Sequence, residues 1–100
     1  MSYELQISGQ HMEVTEAIKQ LTENKVANMS NIYNKITHIH INFHVEKHEQ
    51  IATGQISVPG TILAAEASSE DLYKSIDQLI AKLATQLRKY KDKNSGHQEQ

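Results

Sequence analysis

The 100-residue chain contains no cysteine and no tryptophan, a single proline, four glycines, and five aromatic residues in all. Without cysteine, disulfides, thiolate nucleophiles and cysteine metal sites are excluded, and a cytoplasmic setting is the natural expectation. No apolar run approaches the roughly 20 residues a membrane-spanning helix needs, so no membrane partner is expected. The opening MSYELQISGQ alternates polar and apolar residues and lacks the basic-then-apolar order of a secretory signal. The sequence also has no glycine-rich phosphate loop, no HExxH and no GxSxG. No enzyme activity and no cofactor are therefore expected. The carboxylates Glu66, Glu70 and Asp71 read as strand-edge and helix-start residues.

What is present describes a compact chain: 38% hydrophobic and 22% charged residues fit an ordinary folded domain, and 100 residues suffice for one core between two layers. Residues 1–93 read as one domain. Residues 94–100, NSGHQEQ, hold no apolar side chain and are expected to form a disordered polar tail.

Tyr3, Leu5 and Ile7 alternate with Glu4, Gln6 and Ser8, the period of a half-buried strand, and Gly9 is expected to break it. Thr15 then reads as an N-cap, with Glu16 in the first turn of a helix and Val14 in staple position. At about 100° per residue, Ile18, Leu21, Val26, Met29, Ile32 and Tyr33 fall on one arc, predicting an amphipathic helix over about 16–31. From residue 36 to 46 the alternation is strict: Ile39, Ile41, Phe43 and Val45 on one face, His38, His40, Asn42, His44 and Glu46 on the other. A polar turn around 47–50 leads to a third strand in which Ala52, Gly54, Ile56 and Val58 share a face, and Pro59 with Gly60 marks a tight turn. A fourth strand over about 61–67 turns Leu63, Ala65 and Ala67 inward. Ser68, Ser69, Glu70 and Asp71 form a capping stretch before a long helix with the apolar stripe Leu72, Ile76, Leu79, Ile80, Leu83, Leu87 and Tyr90.

The order β-α-β-β-β-α predicts an α+β fold. Its β-α-β unit implies a right-handed crossover and parallel first and second strands, and the later hairpins imply antiparallel pairs. One apolar face per element places both helices on one side of a four-stranded mixed sheet, with the histidine-bearing face left to water.

The net charge is −2, but it is unevenly placed: residues 1–71 carry four Lys against nine Asp and Glu, whereas residues 72–93 carry six Lys and Arg against two Asp. On the second helix Lys82, Gln86, Lys89 and Lys93 recur at i, i+4, i+7 and i+11, a line about 16 Å long bordering the apolar stripe. Such a line suits a phosphate backbone, where each neutralised phosphate releases counterions. Arg88, Lys91 and Lys74 add positive field. The plainer account is a solvated helix face whose basic residues suit the C-terminal end of the helix dipole. Lys25 falls inside the apolar arc of the first helix. Either its methylenes lie on the core edge with the ammonium in water, or it emerges between diverging helices to meet a phosphate. Tyr73, at the edge of the stripe, is read as a core residue. His38, His40 and His44 share a strand face at chelating distance, but they read as surface histidines, with at most adventitious metal binding and no physiological metal site expected.

Three stretches carry a collinear resemblance over about residues 3–93: Val14, Thr15, Glu16, Ala17 and Ile18; Asp71, Leu72 and Tyr73 with Ile76 and Asp77; and Leu79, Ile80, Lys82, Leu83, Gln86, Leu87, Lys89, Lys91, Asp92 and Lys93. In these the chain resembles the short hibernation-promoting factors of bacteria, relatives of the ribosome-associated inhibitor and of the sigma-54 modulation proteins. The resemblance implies a fold like a double-stranded-RNA-binding domain with an added strand. It also implies a protein that lodges on the small ribosomal subunit, against 16S rRNA in the messenger and transfer RNA channel, blocks translation and favours dormant ribosome dimers. A ribosome modulation factor is a further partner implied in those dimers. Carried over by position, the RNA-contacting residues are Lys25, Lys82, Gln86, Lys89, Lys91 and Lys93, with Arg88 added on charge. Asn28 and Thr85 stand where such proteins often have a basic residue, which weakens contacts there. The lack of a C-terminal dimerisation domain and of a long acidic tail favours the short, dimer-promoting type. The competing expectation is a protein-interaction or metal-responsive module using the histidine-bearing sheet face.

Overall fold

The computed structural model describes residues 3–96, with side chains through Lys93. The elements follow in the expected order: β1 (Glu4–Gln10), α1 (Glu16–Ser30), β2 (His38–Glu46), β3 (Glu49–Val58), β4 (Thr61–Ser69) and α2 (Leu72–Gly96). The strands form one sheet in the order β1-β2-β3-β4, with β1 parallel to β2 and the remaining pairs antiparallel.

The apolar halves of the alternating strands and the stripes of both helices merge in one core. Ile39, Ile41 and Phe43 of β2, Ala52 and Ile56 of β3 and Ala67 of β4 meet Ile18, Val26 and Met29 of α1 and Ile76, Leu79, Leu83 and Leu87 of α2. Burial of these side chains is the main source of stability, at roughly 1.5–3 kcal/mol for each fully buried aliphatic residue. Thr22, outside the arc read from the sequence, is also fully buried, and its hydroxyl donates back to the Ile18 carbonyl at 2.8 Å, which satisfies it without a tertiary partner.

Helix α1 begins as expected, with Thr15 Oγ1 accepting from the Ile18 amide at 3.3 Å. The β2–β3 turn closes on Lys47 and His48, with Lys47 at φ 57°, and Gly60 takes φ 87° in the turn after Pro59.

Two boundaries differ from the sequence reading. Gly9 does not break β1: it pairs with Phe43, and the strand continues to Gln10. Its glycine character serves the following loop, because a Cβ there would stand 2.9 Å from the Met12 carbonyl oxygen. The turn out of the strand falls instead at His11, at φ 58°. At the other end, residues 94–96, expected to begin the polar tail, continue α2. Once a helix is nucleated, adding residues requires only propagation, so polarity alone does not end it. The remainder of that tail, residues 97–100, lies outside the described residues.

Candidate nucleic-acid interface

Helix α2 is anchored at its start. Asp71 Oδ1 accepts from the Tyr73 amide at 3.0 Å, and Ser69 Oγ accepts from the Asp71 amide at 3.2 Å. One turn on, the fully buried Ser75 hydroxyl donates to the Gln50 carbonyl at 2.7 Å and lies 2.8 Å from Ser69 Oγ, tying the helix to the start of β3. The helix then crosses the sheet closely at Gly54, where a Cβ would stand 2.8 Å from Leu83 Cδ1. This seating fixes which flanks of α2 reach solvent.

The flank bordering β4 carries Lys82, Gln86, Lys89 and Lys93, with Gln86 half-buried and the three lysines exposed. The two members nearest the sheet are tied to the outer strand: Lys82 Nζ donates to the Glu66 carbonyl at 2.8 Å, and Gln86 Nε2 donates to the Ala64 carbonyl. Further along, Tyr90 donates to the Pro59 carbonyl and packs edge-to-face on Tyr33, with ring centroids 5.4 Å apart. Desolvation, followed by the proximity of Tyr33, raises the Tyr90 phenol above the ordinary tyrosine value. Because Pro59 lies in the turn at one end of the sheet, the helix beyond Tyr90 overhangs that end, and Lys91 and Lys93 are exposed there.

Arg88 and Lys91 are exposed too but fall about 60–120° to the other side of the apolar stripe, so the expected RNA-contacting residues of α2 occupy two flanks. That second flank also carries Asp77, which meets Lys25 of α1 at 2.7 Å. Lys25 therefore does emerge between the helices, with 35% of its side chain exposed, but its ammonium is held by a carboxylate. Among the described residues, no ion pair engages Lys82, Arg88, Lys89, Lys91 or Lys93. Asn28 and Thr85 are exposed, and the Thr85 hydroxyl is turned back onto the Ala81 carbonyl at 3.0 Å.

Tyr73 is not a core residue: it is 48% exposed. An angle measured along one helix cannot show where the neighbouring helix stops covering it. The hydrogen bonds from α2 to the β4 carbonyls were also absent from the sequence reading. The spacing of Lys82, Gln86 and Tyr90 was visible, but backbone acceptors leave no residue-type signature.

On the open sheet face each histidine has its own surroundings. His38 Nδ1 lies 3.1 Å from Thr37 Oγ1 and its Nε2 3.6 Å from the Glu4 carboxylate; His40 Nε2 lies 3.1 Å from Ser8 Oγ; His44 Nδ1 is shielded and has no partner among the described residues. Among the described residues, no group of three His, Cys, Asp or Glu is arranged to hold a metal ion. Among the described residues, no helix is long and apolar enough to cross a membrane.

A four-stranded mixed sheet with two helices on one face defines a class of small α+β domain. The structure of a ribosomal subunit interface protein from Coxiella burnetii shares it at TM-score 0.84 and 39% identity, covering 88% of this chain and 97% of that one. The N-terminal domain of Thermus thermophilus Protein Y shares the fold at TM-score 0.80 and 23% identity, over 89% of this chain and 99% of its own. Residues 5–95 match the family described as sigma 54 modulation protein / S30EA ribosomal protein, and the chain belongs to that family. Relatives include the ribosome hibernation promoting factor of Pseudomonas putida, 38% identical over 93 residues (93% of this chain, 91% of the relative), and that of Escherichia coli K12, 35% identical over 94 residues (94% and 99%).

Proposed function

We propose that the protein is a cytoplasmic ribosome hibernation factor. It binds the small subunit in the messenger and transfer RNA channel, contacts 16S rRNA, inhibits translation and promotes dormant ribosome dimers, with a ribosome modulation factor as a partner in those dimers. The setting is stress and stationary phase. Lys82, Lys89, Lys93, Arg88 and Lys91 grip phosphates, Gln86 adds a neutral donor, and Lys25 joins them when phosphate displaces Asp77. Inhibition comes from occupying the channel, and no bond is made or broken.

One observation carries this reading: α2 gathers six exposed cations, Lys74, Lys82, Arg88, Lys89, Lys91 and Lys93, without a carboxylate partner among the described residues, in a chain whose net charge is −2. What sets α2 apart is concentration, six Lys and Arg against two Asp over residues 72–93, and such a set supplies the counterion release that drives phosphate binding. Membership in a family with ribosome hibernation promoting factors supports the same reading.

The test is co-sedimentation with 30S subunits and inhibition of translation in a cell-free system. The combined Lys82→Ala, Lys89→Ala and Lys93→Ala variant is expected to lose at least about tenfold in affinity and to inhibit correspondingly less. Unchanged co-sedimentation and inhibition by the folded variant would remove α2 from the interface.

A further inference from the structure

Strand β4 is an outer strand of the sheet, and its sequence TILAAEASS offers none of the usual protections of an exposed edge: no proline, no lysine, no arginine and a single charge, Glu66. A nine-residue edge of this composition is a template for pairing with another strand. In an antiparallel pair, alternate residues turn both backbone groups away from the neighbour. On β4 these include Ala64 and Glu66, whose carbonyls accept from Gln86 and Lys82.

The match has a simple geometric origin. Four residues of helix advance about 6 Å, and two residues of strand about 6.7 Å, so donors at i and i+4 on α2 reach successive outward carbonyls on β4. Tyr90, four residues further, extends the series to the Pro59 carbonyl at the end of the hairpin. The opposite edge needs less protection: β1 has seven residues, and the loop carrying Met12 and Val14 packs on Gly9 near its end.

We propose that Lys82, Gln86 and Tyr90 form a side-chain seal that withholds the β4 edge from a second copy of this chain. The partner excluded is another β4, because two such strands related by a two-fold axis pair antiparallel, with small alanines at the centre and only Glu66 to oppose the approach. The seal is compatible with polyanion binding. An ammonium has three donors and a carboxamide two, so one from each is used on the edge while the rest remain for another acceptor.

The experiment is sedimentation velocity on the full chain without ribosomes, over a concentration series, with circular dichroism recorded on each sample. The wild type is expected to be monomeric, and Lys82→Ala/Gln86→Ala to self-associate roughly tenfold or more tightly with unchanged circular dichroism. Adding Ala64→Pro removes an outward amide without costing a bond to β3 and should return that variant to monomer. Lys82→Arg, which keeps a donor, should remain monomeric. The proposal is overturned if the double variant stays monomeric while folded, if its association survives Ala64→Pro or accompanies loss of circular dichroism, or if the wild type already associates through an edge that Ala64→Pro abolishes.

Discussion

Lys25 and Asp77 show how one side chain serves both fold and site. The two lie 2.7 Å apart, with 35% and 62% of their side chains exposed, so solvent screens the pair and its net worth to stability is at most about 1 kcal/mol. Its larger effect is on charge, since Asp77 cancels the cation that α1 would otherwise offer. Asp77→Asn should therefore change the thermal midpoint little and tighten binding to 30S subunits, measured by co-sedimentation at fixed salt. Weaker binding would show that Asp77 itself holds Lys25 in its working position. That Lys25 was out of place in an apolar arc was legible in the sequence; its partner was not, because Asp77 lies 52 residues away and only the packing of α1 beside α2 joins them.

At the scale of elements, glycines set how closely the pieces approach. Gly54 is buried beneath α2, yet the atoms a Cβ would meet, Leu83 Cδ1, Ile41 Cδ1 and Leu79 Cδ2, are ends of flexible side chains. Gly9 is exposed, but its Cβ would meet the Met12 backbone carbonyl at 2.9 Å. Chemical denaturation should accordingly rank Gly9→Ala as the costlier change, by about 1–3 kcal/mol, with Gly54→Ala below it, the reverse of the order burial suggests. The alternation from Ile39 to Val45 and the stripe from Leu72 to Leu87 located β2 and α2 because a single buried face dominates each. Gly9 misled as a strand breaker because its role depends on a loop not yet in contact at the level of sequence. The exposure of Tyr73 was missed for a related reason: helical spacing orders side chains around one axis and is silent about where the next helix ends.

For the molecule as a whole, the acidic majority and the basic helix do not cancel. At physiological ionic strength charges are screened over about 8 Å, so a phosphate beside α2 responds to residues 72–93, with six Lys and Arg against two Asp, and little to distant carboxylates. The two-layer fold turns that segment into a long helix whose basic flank runs beside the sheet and whose end overhangs it at Lys91 and Lys93. The same flank serves the sheet edge through Lys82 and Gln86, so Lys89 and Lys93 are its two cations not bonded to β4 among the described residues. The central claim is that α2 binds RNA phosphate, and the most direct measurement is the salt dependence of affinity for 30S subunits. Each phosphate contact contributes about 0.7–0.9 to the slope of log K against log salt. Replacing Lys82, Lys89 and Lys93 with Ala should flatten that slope by roughly two to three, in keeping with three lost contacts. A slope identical to that of the wild type, whatever the affinity, would contradict the account.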